Sequence, residues 1–135
     1  MRGLLIRWQG GRVRHDQWQS HGVKKGLEYA ILTDEITKAW SEKSIKEYKK
    51  FKGLKKQNLR DNMTNLELVL NMLAEASTTE ISKEKNPKTF EENKRVARQG
   101  GSVAGTARKK LESQTGRKII SPKNANDHQL ETKDK

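Results

Sequence analysis

Three S/T-x-x-E boxes, at Ser44–Glu47, Thr64–Glu67 and Thr89–Glu92, punctuate the chain and decide most of what it can become. In such a box the hydroxyl accepts from the backbone amide three residues on. The glutamate reaches back to the amide of the capping residue, so two orphan donors of a helix start are satisfied locally. Each box here opens an apolar pattern of helical period. After Thr64, residues Leu66, Val69, Leu70, Leu73, Ser77 and Ile81 recur at three- and four-residue steps, and Met63 can staple onto Leu68. That spacing predicts a helix over 64–82. After Thr89, residues Ala97, Gly100, Ala104, Ala107 and Leu111 keep one phase, flanked by Val96 and Val103. The phase does not reset at Gly100-Gly101, which predicts one helix, or two collinear pieces, over 90–114. Ser44 opens a shorter helix with Ile45, Tyr48 and Phe51 on its apolar side and Gly53 at the stop position. Leu27, Ile31, Leu32, Ile36, Ala39 and Trp40 predict a further helix over 27–40. The expected fold is all-α. It is a small helical assembly built on a hairpin of 64–82 and 90–114, with 27–40 and 44–52 packed on it and flexible segments at both ends.

Two details sharpen this expectation. A double glycine inside a helix costs roughly 1 kcal/mol per residue against alanine, so something must offset it. Close approach of Gly100 and Ala104 to the 66/69/70/73 stripe is the simplest source. Leu68 and Met72 lie off that stripe, so the 64–82 helix has apolar residues on more than one side. A partner protein, or a second copy of the chain, could use them.

The ends read differently. Residues 1–23 are rich in Arg, Gly, Gln and Trp without a clear period, and Trp8 and Trp18 have no apolar neighbours at helical spacing. They are expected to form a flexible segment apart from the helical domain of 24–122, and a truncated or misplaced gene start would explain them. Asn86-Pro87 is expected to end one helix and Thr115-Gly116 another. Ile119-Ile120 reads as a short extended piece, and 123–135 as a disordered polar tail.

Hydrophobic residues make up 31% of the 135 positions and charged residues 34%, so a large core is out of reach. The formal net charge of +12 points to a polyanionic partner, nucleic acid first. Cysteine is absent, which excludes disulfides, thiolate zinc sites and a cysteine nucleophile. The apolar run Leu4-Leu5-Ile6 closes at Arg7, too short for a signal peptide or a spanning helix. A soluble, cytoplasmic protein is expected.

No catalytic constellation emerges. His15, His21 and His128 have no metal-ligand spacing around them, and His15-Asp16 lacks a serine in a nucleophile turn. The carboxylate pairs Asp34-Glu35 and Glu91-Glu92 are neighbours on helices and point about 100° apart. The glycines of 100–105 resemble a phosphate loop only superficially, because Thr106 stands where a lysine is required and no strand precedes. No enzyme activity, cofactor or metal is expected. The candidate sites are therefore binding surfaces. Tyr48 and Phe51 sit among Lys46, Lys49, Lys50, Lys52, Lys55 and Lys56, which suits a nucleic-acid backbone if the rings are not core. Arg95, Arg98 and Lys109 fall on one side of the 90–114 helix, away from the Ala/Gly stripe, and could track phosphates by charge alone.

Several local runs also resemble a known family. Leu59-Arg60-Asp61-Asn62-Met63-Thr64, Leu70-Asn71-Met72-Leu73, and Gly100-Gly101 with Ala104 and Ala107 look like the carboxy-terminal part of DNA-damage-inducible protein D (DinD) and of related phage antirepressor-like proteins. The similar region spans roughly residues 27–125. The BRO-type amino-terminal domain usual in such proteins is missing. The resemblance implies a DNA-damage (SOS) setting and binding to DNA or to a recombinase–DNA filament. An alternative is an oligomerisation or protein-interaction segment of a phage-type regulator. It supplies no catalytic residues.

Overall fold

The computed structural model describes residues 18, 22–24 and 26–122. Among them are four α-helices and no strand: α1 Leu27–Ser41, α2 Ile45–Phe51, α3 Asn65–Lys85 and α4 Phe90–Thr115, with a 3₁₀ turn at Arg60–Asn62 before α3. The expected arginine-rich start over 1–17 and the tail over 123–135 lie outside the described residues.

Two of the boxes form in full, and the third forms its hydroxyl half. Ser44 Oγ accepts from the Glu47 amide while Glu47 Oε1 accepts from the Ser44 amide, at 3.1 and 2.8 Å. Thr64 and Glu67 make the same reciprocal pair. At Thr89 the hydroxyl accepts from the Glu92 amide at 3.1 Å. The stops are left-handed: Glu42 (φ 63°) after α1, Asn86 (φ 49°) after α3 and Gly116 (φ 72°) after α4. The last two leave room for the sharp reversals that end the hairpin's arms.

The hairpin of α3 and α4 is present, and α4 is an unbroken helix through Gly100-Gly101. It runs between two neighbours, α1 on one side and α3 on the other. Gly100 faces α3: a Cβ there would lie 1.9 Å from Thr78 Oγ1 and 2.6 Å from the Thr78 backbone. Gly101 and Gly105 face α1: a Cβ on Gly101 would lie 2.4 Å from the Ala39 methyl and 2.7 Å from the Ile36 carbonyl oxygen, and one on Gly105 2.9 Å from the Ala39 carbonyl oxygen. Ala97 and Ala104 are fully buried between these contacts.

The face that α3 turns inward corrects the sequence reading. Of the predicted stripe only Leu70 is buried; Leu66, Val69 and Leu73 are 41%, 57% and 37% exposed. The buried face is instead Glu67, Leu70, Asn71, Ala74, Glu75, Thr78 and Ser82. Gly100 accordingly meets Thr78 and not the leucine stripe. The reason is that most of this polar side finds partners, in other elements or within α3 itself. Trp40 Nε1 donates to Asn71 Oδ1 at 3.1 Å, Arg60 pairs with Glu75, and the Thr78 hydroxyl turns back onto the Ala74 carbonyl at 2.8 Å. A satisfied buried polar group carries little penalty, so hydropathy alone does not choose the face.

Trp18 and Val23 also depart from expectation. Both are buried, and the Trp18 ring lies 5.2 Å from that of Tyr29. The packed domain therefore reaches back before residue 24. The aliphatic and aromatic core is Trp18, Leu32, Ile36, Trp40, Tyr48, Met63 and Leu70 with their neighbours, joined at the far end by Ile119.

Candidate functional site

Two surfaces stand out: a lysine-rich face around α2 and an apolar face on α3. The first depends on how α2 is held. Asp34 Oδ1 accepts from the Ile45 amide at 2.7 Å, tying the start of α2 to the side of α1. Tyr48 then points inward, fully buried, with its ring 6.0 Å from that of Trp40 in an edge contact. Its hydroxyl donates to Glu67 Oε2. Burial, reinforced by the Glu67 carboxylate, pushes the Tyr48 phenol far above its ordinary range, so it stays a donor.

Glu67 is the hub of this end of the molecule. It is wholly buried, yet both carboxylate oxygens have partners. Lys52 Nζ lies 2.7 Å from Oε1, and the Thr64 amide donates to the same oxygen at 2.9 Å. Oε2 takes the Tyr48 hydroxyl and the Ser121 amide. Lys52 Nζ also donates to the Ser121 carbonyl at 2.8 Å. One carboxylate thus joins α2, the start of α3 and the segment after α4. A second buried ion, Arg108, does the same for α1 and α4. Its Nε donates to the Trp40 carbonyl at 2.8 Å, and its two amino nitrogens pair with Glu42 and Glu112. Burial raises Glu112, but the Ile119 amide and Arg108 outweigh it and leave the carboxyl below its usual range.

With Tyr48 and Lys52 turned inward, the remaining cations of α2 and its following loop face outward. Lys46, Lys50, Lys55 and Lys56 are exposed and Lys49 is half-buried. None of the five is ion-paired among the described residues. The nearby acids are committed elsewhere, Asp34 to the Ile45 amide and Glu47 to the Ser44 amide, whose hydrogen bonds lower the Glu47 carboxyl. The question of whether Tyr48 and Phe51 are core is answered separately for each. Tyr48 is core. Phe51 is on the surface, with Lys43 Nζ 4.5 Å above its ring.

The cations of α4 are more compensated. Arg98 Nε lies 3.1 Å from Glu35 Oε2, and this hydrogen bond holds the Glu35 carboxyl below its usual range. Lys109 Nζ lies 3.9 Å from Glu42. Arg95 is exposed.

The apolar face of α3 consists of Leu66, Val69 and Leu73, one to two turns apart on the side away from α4. Leu68 and Met72, singled out as interaction residues, are only half-exposed, and Leu68 packs against the core. Leu66, Val69 and Leu73, taken for core, are thus the exposed positions, while Leu70 keeps its place inside and Leu68 packs beside it, because Glu67, Asn71 and Glu75 find polar partners on the inner side. Sequence reasoning missed Lys52, Glu67 and Arg108 as buried ions. For Glu67 a signal existed in its capping role, and for Arg108 in its place four residues after Ala104.

A cleft of about 280 Å³ lies where Thr33, Thr37, Asn71 and Glu75 face the Arg60 turn under Trp18. Among the described residues no group of three His, Asp or Glu side chains is placed to hold a metal ion, and no helix is long and apolar enough to cross a membrane. No family model matches the chain, and no similar curated protein or solved structure was found.

The buried pair yields a test. Lys52→Met should destabilise the fold by about 3–5 kcal/mol in urea unfolding, because it leaves Glu67 charged and buried without its cation. Adding Glu67→Gln to that variant should recover a large part of the loss. Additive losses in the double variant would mean that the two groups are not coupled.

Proposed function

We propose that the chain works by binding and not by catalysis, and that its partner is nucleic acid held through the phosphate backbone. The reading rests on one observation: Lys46, Lys49 and Lys50 of α2 and Lys55 after it line one groove, Lys56 follows in the chain, and none of the five has an ion-pair partner among the described residues. An array of solvated, uncompensated lysines gains free energy by releasing the counterions of a polyanion. The net charge of +12 acts in the same direction at longer range. Arg95, Arg98 and Lys109 are a secondary contact in this reading, since two of the three already face an acid. The likeness of residues 59–64, 70–73 and 100–107 to DinD-type sequences supports placing this binding in a cytoplasmic DNA-damage response. There, free DNA or a recombinase–DNA filament would present the phosphates.

Binding of this kind is indifferent to sequence and sensitive to salt. Fluorescence anisotropy on single- and double-stranded oligonucleotides at several salt concentrations tests it. Replacing Lys46, Lys49 and Lys50 with Gln should weaken both titrations and flatten the log–log salt slope by ~0.7–0.9 for each lost contact. A native chain that binds neither oligonucleotide at low salt contradicts the proposal.

The exposure of Leu66, Val69 and Leu73 favours a second reading, in which α3 pairs with α3 of another copy. It corresponds to the oligomerisation segment of a phage antirepressor-like regulator. Sedimentation velocity should then show a dimer whose population rises with concentration and is lost in Val69→Asp. A monomer over the whole range contradicts it.

A further inference from the structure

The side of α2 that faces α1 carries more than charge. A groove of about 690 Å³ separates the two helices. Its floor is aliphatic, made by Ala30 and Ile31 of α1, Ile45 of α2 and Leu54 beyond it. Its rim is cationic, made by Lys46, Lys49, Lys50 and Lys55. Asp34 is the one acid in the lining, held by the Ile45 amide, and its single charge leaves the rim of lysines net positive. Leu27, 75% exposed, sits one turn before Ala30 and Ile31 on the same face of α1 and prolongs the apolar track.

We propose that this groove docks an acidic, amphipathic segment of a partner protein, with aliphatic side chains on the floor and carboxylates on the lysine rim. Charge complementarity sets the sign of the occupant, and the floor sets its chemistry. A phosphodiester backbone would pair with the lysines but leave Ile31, Ile45 and Leu54 in water. The floor has no aromatic ring on which a base could stack. Leucine or isoleucine side chains cover such a floor, and flanking glutamates or aspartates steer the segment in and fix its register. The groove's volume lies within the range of ligand-sized clefts, roughly 300–1,000 Å³. The inference goes beyond nucleic-acid binding and does not require it. Because Lys46, Lys49, Lys50 and Lys55 serve both ligands, the segment and a polynucleotide exclude one another.

The test uses the full chain and two fluorescein-labelled peptides of equal length and charge. In one, leucines and glutamates alternate at helical spacing; in the other, serine replaces every leucine. The leucine peptide should bind roughly ten-fold tighter or better, the effect of covering one large aliphatic side chain. Leu27→Ser with Ile31→Ser should remove most of that preference. Both changes lie on the outer side of α1, and circular dichroism checks that the helices persist. Lys46→Gln with Lys50→Gln should weaken both peptides. Equal binding of the two peptides by the native chain overturns the proposal, since the surface would then read charge alone. So does a leucine preference that survives in the Leu27/Ile31 variant, or binding of vesicles containing phosphatidylserine with no binding of either peptide. Duplex DNA titrated in parallel separates the two readings. A chain that binds duplex but shows no leucine preference loses the groove and keeps the nucleic-acid interface. A chain that prefers the leucine peptide and ignores DNA does the reverse.

Discussion

The close approach of α1 and α3 to the small-residue face of α4 is the constraint on which the rest of the structure depends. A core this poor in apolar side chains cannot fill wide gaps between helices, so the helices come together until backbones nearly touch. Glycine at 100, 101 and 105 permits that approach on two sides at once, toward Thr78 and toward Ile36, Ala39 and Trp40. Each glycine weakens α4 by roughly 1 kcal/mol relative to alanine. The dispersion contacts of two tightly packed interfaces offset that cost. The same geometry explains Thr78: a small side chain whose hydroxyl is satisfied within its own helix suits a place where the opposing backbone is so near.

The second consequence is a polar interior. With few large apolar residues to spare, the end of the bundle away from the α3–α4 turn is closed by buried ions. Glu67 gathers Lys52, Tyr48, Thr64 and Ser121, and Arg108 gathers Trp40, Glu42 and Glu112. Such networks contribute less net stability than their contact distances suggest, but a misregistered neighbour leaves a charge unpaired. Here they fix the rotation of α2 about its axis. Tyr48 and Lys52 are drawn inward, and Lys46, Lys49 and Lys50 are left outside. The binding surface thus follows from the packing.

Much of this was legible in the sequence, and the reasons for the remainder are specific. Helix starts are local: Ser44, Thr64 and Thr89 announce their helices through hydrogen bonds made within four residues. The continuous phase from Ala97 to Leu111 likewise survives tertiary packing, so one helix across Gly100-Gly101 could be expected. The inward face of α3 could not be read the same way. Leu66, Val69 and Leu73 make the stronger hydrophobic stripe, yet Glu67, Asn71 and Glu75 find partners at Lys52, Trp40 and Arg60, which lie 15 to 31 positions away in the chain. Trp18 escaped for a related reason. It packs on Tyr29 without a periodic context of its own. The lysine cluster was visible as composition. That none of its lysines is ion-paired became visible only when Asp34 and Glu47 were seen to hold backbone amides at the start of α2.

Equilibrium unfolding of Gly100→Ala tests the central claim through its sign. At an unpacked helical site this change raises stability by roughly 0.5–1 kcal/mol, since alanine is the better helix former. At Gly100 the new methyl would meet the Thr78 side chain and backbone, at 1.9 and 2.6 Å in the present geometry, so one helix must move away. The account predicts a net loss of about 1–3 kcal/mol, the range for overpacking a tight core. A Gly100→Ala chain as stable as the native one, or more so, would contradict it.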